Sequence, residues 1–130
     1  MQGNCAVQVG HFAERHFIKN FEKKYKTLWD VTFIAITAEL ARIDALLLTN
    51  RAETICDRAG IKIVKTEFKI AKSKESARSS GNRCVVAWEP DRQMVTMLLL
   101  YHKTDLSGKN ETAEWKRLIK DNYPEYRNIL

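Results

Sequence analysis

The tetrapeptide Glu89-Pro90-Asp91-Arg92 stands between two apolar runs, 84–88 and 94–101, and no other feature restricts the fold as strongly. Proline holds its own φ near about −65° and cannot donate to a ladder inside a strand, so it marks a tight turn between strands. The flanking runs are rich in β-branched, aromatic and aliphatic residues, and the pattern predicts a β-hairpin. An earlier run with Ile61, Ile63, Val64, Phe68 and Ile70 predicts a further strand. Between that strand and the hairpin, residues 71–83 are small, polar and basic, a poor core and a good surface.

Charge gathers in this region. Residues 61–83 hold seven cations (Lys62, Lys65, Lys69, Lys72, Lys74, Arg78 and Arg83) against Glu67 and Glu75, a net +5 within a whole-chain +6. An excess concentrated on one strand and its adjoining loop suits a polyanion, because Lys and Arg contacts to phosphate supply most nucleic-acid affinity. A solvated loop that keeps the protein soluble accounts for the charge equally well.

The length of 130 residues fits one domain with a single core, and 45% hydrophobic with 29% charged residues argues against disorder. No run approaches the roughly 18 apolar residues of a membrane span. The N-terminal segment lacks the apolar stretch of a secretory signal, so a cytoplasmic protein without a membrane partner is expected. Cys5, Cys56 and Cys84 are odd in number and widely spaced, which indicates neither a disulfide framework nor a zinc site. No metal or cofactor is expected. The triplet Asn110-Glu111-Thr112 matches a glycosylation site, an accidental match without a secretory route.

Residues 5–12 contain a short alternating piece that suits an edge strand. Over 13–25, Phe17, Phe21 and Tyr25 recur every fourth residue among charged neighbours, the signature of an amphipathic helix. Asp30 stands where an N-cap belongs, and Phe33, Ile36, Leu40, Ile43 and Leu47 then predict a second helix to about residue 48. Residues 49–60 are polar and mixed, suggesting another helical turn stopped at Gly60, and 102–109 read as a loop. Asn110 caps a last helix over about 110–123 with Trp115, Leu118 and Ile119 inside, ended by Pro124. Tyr123 and Tyr126 suit helix-end packing or stacking on a base. The expected fold is therefore α+β: a three- to four-stranded antiparallel sheet packed on one face by an N-terminal helix pair, with a C-terminal helix.

This order, together with Phe68-Lys69-Ile70 and Ser80-Gly81-Asn82-Arg83, resembles the RelE/ParE superfamily of toxins from bacterial type II toxin-antitoxin systems. In RelE-type members an aromatic-Lys-Ile segment and a Ser-Gly-Tyr-Arg segment occupy these places. The resemblance covers a core of about 12–105 in one domain over 1–130, and Asn82 stands where the family carries an aromatic.

What the resemblance implies is an endoribonuclease, an mRNA interferase that cuts message on the ribosome without a metal and is neutralised by a cognate antitoxin. Such cleavage needs cations for the phosphate and groups to move protons. Arg83, on the motif's last position, is the first choice for phosphate stabilisation, with Arg78 beside it. Lys65, Lys69, Lys72 and Lys74 would bind RNA. His102, the natural acid/base candidate because histidine titrates near neutrality, and Lys103 stand at the end of the neighbouring strand. A surface histidine without a role is the plain alternative, and His11 and His16 read as structural. ParE-type members instead inhibit DNA gyrase without this set, and a basic RNA-binding module without catalysis is a third reading.

Overall fold

Five strands form one sheet: β1 (Ala6–Val9), β2 (Ala52–Arg58), β3 (Ile61–Phe68), β4 (Asn82–Glu89) and β5 (Met94–His102), ordered β1-β5-β4-β3-β2 in space. The computed structural model describes residues 4–106 and 110–130, and the last part of the loop expected over 102–109 lies outside them. The hairpin expected around Pro90 is β4 and β5, joined by a 3-10 turn over Pro90–Arg92, with Gln93 left-handed at φ 49°.

Two expectations about the sheet are corrected. The polar stretch after Thr49 forms β2 rather than a helical turn, pairing antiparallel to β3 with a bulge between Thr54 and Cys56. As an edge strand it leaves Glu53, Thr54, Asp57 and Arg58 exposed, so it carries no continuous apolar signature. The alternating piece near the N-terminus is the opposite edge, but it runs parallel to β5, Ala6 opposite Met94 and Val9 opposite Met97. The sheet is thus five-stranded and mixed.

The first aromatic stripe lies on α1 (His11–Ala13), a π-helical turn (Glu14–Ile18) and α2 (Lys19–Tyr25), with Phe21 buried and Phe17 and Tyr25 half-buried. Lys26 takes a positive φ of 53°, so α3 (Thr27–Ala41) begins there and Asp30 lies inside its first turn instead of capping it. A break at Arg42 separates α4 (Ile43–Leu46), so the helix expected to run to 48 is two pieces. These helices bury Phe21, Trp29, Ile36, Leu40 and Ile43 against Val64, Phe68, Cys84, Val86, Val95 and Met97 of the sheet.

The other face is covered as well, by α6 (Glu111–Asn122) and the tail, which bury Trp115, Ile119, Tyr123, Tyr126 and Ile129 against Ile63, Val85, Leu99 and Tyr101. Packing on one face only was therefore too simple. Asn110 caps α6 by accepting from the Ala113 N–H at 3.1 Å. Each fully buried large side chain, such as Trp115 or Leu99, contributes roughly 2 kcal/mol of transfer free energy.

One extra residue in β5 makes the two faces compatible. Val85 pairs with Leu99 and Val86 with Met97, so Leu98 is a bulge, and both Leu98 and Leu99 enter the α6 layer.

Candidate functional site

A cleft of about 550 Å³ opens where the ends of β4 and β5 meet α2, the start of α3 and the loop after β3. Its helical wall presents Asn20, Lys24 and Tyr25, and its sheet-end floor presents Ser80, Asn82 and His102. Lys72, Ser73 and Glu75 of the loop, with Thr104 and Asp105, complete the rim.

The loop wall is anchored in the core by the buried Ile70 and Ala77 and held further by hydrogen bonds. Thr32 of α3 donates its hydroxyl to the Leu28 carbonyl at 2.7 Å and accepts the Ala71 N–H at 2.8 Å. Lys69 donates to the Ser73 carbonyl at 3.2 Å, closing a turn in which Lys72 takes a left-handed φ of 66°. Ser76 caps the short helix α5 (Ala77–Ser80) by accepting from the Ser79 N–H. The buried Ser80 hydroxyl donates to the Phe68 carbonyl at 2.6 Å and accepts the Asn82 N–H at 3.1 Å. This knot brings the loop back onto the sheet.

His102 is fixed on both ring nitrogens. Nε2 lies 3.0 Å from the Ser80 carbonyl, which can only accept, so Nε2 carries the proton. Nδ1 accepts the Thr104 N–H at 3.2 Å and lies 2.7 Å from the Thr104 hydroxyl. The Asp105 carboxylate accepts the His102 N–H at 2.9 Å, completing a capped 3-10 turn over Lys103–Asp105. In this arrangement Nδ1 faces the N–H and the hydroxyl of an exposed threonine. Beside it the buried Asn82 Oδ1 has no hydrogen-bond partner.

The structure gathers only part of the expected set. His102 and Lys72 line the cleft, and Lys103 follows His102 on the adjoining turn. Lys69 spends its ammonium on the loop carbonyl, while Lys74 and Arg78 are exposed on the loop and α5 and do not line the cleft. Lys65 is elsewhere: opposite Val85, on the α6 face, 4.0 Å from Glu53.

Arg83 lies apart from the cleft residues. Asn82 pairs with His102 across the ladder and Arg83 with Tyr101, and successive residues of a strand point to opposite faces. With Asn82 and His102 in the cleft, Arg83 projects to the α6 side. There its guanidinium lies 3.3 Å from Glu67 and 3.8 Å from Glu111, the first residue of α6. Tyr101 donates to the same Glu111 carboxylate at 2.7 Å. Burial, then the bond to Glu111, pushes the Tyr101 hydroxyl well above the ordinary tyrosine range. The guanidinium expected to hold a phosphate thus lies between Glu67 and Glu111, where the start of α6 meets the sheet. Tyr123 is buried too, donating to the Leu98 carbonyl at 2.8 Å and accepting the Ala13 N–H at 3.1 Å, so it serves helix-end packing rather than base stacking.

Sequence reading missed Asn20, Lys24 and Tyr25, the α2 side of the cleft. The signal available was Lys23-Lys24-Tyr25-Lys26, where the aromatic stripe ends in a cluster of cations. In the structure Lys24 lies 5.3 Å from the Tyr25 ring centroid, a cation over an aromatic face.

No family model and no curated protein matches the sequence. Among solved structures the chain is similar to a chain of the archaeal RelE-RelB complex from Pyrococcus horikoshii OT3, at 8% identity and a TM-score of 0.54. The similarity covers 76% of this chain and 94% of that one. It is a likeness of fold, and the α+β architecture described above is RelE-like. No described helix is long and apolar enough to cross a membrane.

Proposed function

We propose that the chain is the toxin of a toxin-antitoxin pair, a cytoplasmic, ribosome-associated mRNA endonuclease that a cognate antitoxin neutralises. The observation that carries this reading is the cleft itself: on a RelE-like fold it brings Lys24, Lys72 and His102 together from three distant parts of the chain. The partner of the solved RelE supports the antitoxin by analogy of fold.

In this reading Tyr25 and Phe17 offer aromatic surfaces to an unstacked base, and Lys24 and Lys72 neutralise the phosphate beside it. The RNA's own 2′-oxygen attacks the adjacent phosphorus, its proton passes to a base, and the 5′-oxygen leaves as the P–O bond breaks, taking a proton as it goes. His102 serves as the base once the Lys103–Asp105 turn opens and takes both the Thr104 hydroxyl and the Thr104 N–H away from Nδ1. Lys103, exposed one residue on, adds positive charge near the cleft. Arg83, paired with two carboxylates, takes no part.

A second reading is favoured by a specific observation: both ring nitrogens of His102 are already engaged, which suits a site that binds without cutting. In that case the toxin acts by occupying RNA or a protein target such as DNA gyrase. Incubation with translating ribosomes, followed by mapping of message ends, separates the two. New ends that vanish with Lys72→Ala support the nuclease; intact message with growth arrest supports binding alone. Harmless expression removes the toxin reading altogether.

A further inference from the structure

The outer face of α3 carries a feature that the cleft does not use. Val31, Ile34, Ala35 and Ala38 are all exposed, Val31 at 58% and Ile34 at 69%, and their spacing of three, one and three residues makes a stripe along one helix face. The inner face of the same helix buries Trp29, Thr32, Ile36 and Leu40. A helix apolar on both faces is ordinarily enclosed on both, and here one side is open. Beside the stripe a groove of about 370 Å³ runs between α3 and the π-helical turn with α2, floored by Trp29 and Phe33. Three carboxylates rim it, Glu14, Glu22 and Asp30, and none of them has an ion-pair partner among the described residues. It shares no lining residue with the cleft.

We infer that this groove docks a basic amphipathic helix from a partner protein, with a bulky aliphatic residue over Phe33 and Ile34 and Lys or Arg side chains on the three carboxylates. The length of the stripe fits a helix: from Val31 to Ala38 it covers about 10 Å, or two turns. The local charge fits the sign of the partner, because the lining of the groove holds three carboxylates and no lysine or arginine. A second copy of this chain is a poorer occupant. A two-fold contact sets the same patch against itself, which opposes the carboxylates of Glu14, Glu22 and Asp30 to the same three on the second copy, with no cation from the groove lining between them. The inference is independent of what the cleft does.

Two synthetic helical peptides of equal length test it, sharing one leucine stripe, one flanked by lysines and the other by glutamates. Fluorescence anisotropy on the full chain is expected to show the lysine peptide binding at least about tenfold tighter. Ile34→Asp abolishes that binding, and the pair Glu22→Lys with Asp30→Lys reverses the preference, while circular dichroism shows both variants folded. Equal binding of the two peptides, or no binding, overturns the inference. So does a dimer in sedimentation that Ile34→Asp disperses, which assigns the face to self-association.

Discussion

The imidazole of His102 lies directly against Gly81: a Cβ on that glycine would fall 2.7 Å from Nε2. Gly81 is also left-handed, at φ 82°, where a side chain clashes with its own backbone. Gly81→Ala is therefore expected to destabilise by about 2 kcal/mol or more, from backbone strain plus displacement of the ring from the Ser80 carbonyl. Gly60 serves as the control, since it has a similar φ of 76° with nothing within 4 Å of its Cβ position. Urea unfolding should show Gly81→Ala clearly worse than Gly60→Ala, and His102→Ala should recover much of the difference. Equal costs at the two glycines would remove the contact from the account.

Lys72 offers a test in which stability and binding move apart. Its left-handed backbone is unfavourable for a residue with a Cβ, and its side chain lines the cleft. Lys72→Gly is expected to leave stability unchanged or raise it by up to about 1 kcal/mol, since the relief of strain offsets the greater freedom of the unfolded chain. If the cleft holds RNA as proposed, the same change removes a phosphate contact, so affinity for single-stranded RNA should fall and the salt slope of log K should drop by roughly 1. A variant that is less stable and binds RNA as before would contradict both halves.

Alkaline pH should weaken the fold through groups that are buried in their neutral form. Burial pushes the Cys84 thiol from its ordinary 9.0 up to about 12, opposed in part by its hydrogen bond with Thr66. Burial likewise pushes the Tyr123 hydroxyl from 10.0 to about 12. Above pH 9 for Cys84 and above pH 10 for Tyr123 the unfolded chain loses the proton, while the folded one keeps it up to about 12, so the unfolded state binds fewer and stability falls as pH rises. Below pH 9 this contribution is fully present. Urea midpoints measured across that range should decline, and Cys84→Ala should flatten the slope even where it lowers the starting value. A slope unchanged by Cys84→Ala would show that the thiol ionises without opening the core.

How much of this was legible follows from what each element exposes. The β4 and β5 hairpin was readable because both strands are buried and Pro90 admits few conformations. β2 was not, because an edge strand with Glu53, Asp57 and Arg58 outward has the composition of a loop. Half of the cleft was legible as a basic loop, but Lys24 and Tyr25 reach it from a helix some fifty residues earlier, a proximity created by packing alone. The division of the faces was hidden for a different reason. Strand parity turns on a single residue, and the Leu98 bulge shifts it midway along β5 without any mark in the apolar run.

Arg83 is where that parity has the largest consequence. A motif read along the chain places Arg83 beside His102, while the ladder places it one step out of phase and therefore on the other face. Its side chain is only 14% exposed and lies against Glu67 and Glu111, so removing it leaves two carboxylates partly buried without their cation. Arg83→Ala is expected to destabilise by about 2 kcal/mol, and Tyr101→Phe, which frees the same Glu111 carboxylate, by about 1 kcal/mol. The two effects should couple in a double-mutant cycle, because both act through Glu111. RNA binding and cleavage, corrected for the folded fraction, should be unaffected by Arg83→Ala. Were activity to fall more than about tenfold in a variant that remains folded, the guanidinium would have to reach RNA from the α6 side, and the cleft around His102 would lose its claim to the chemistry.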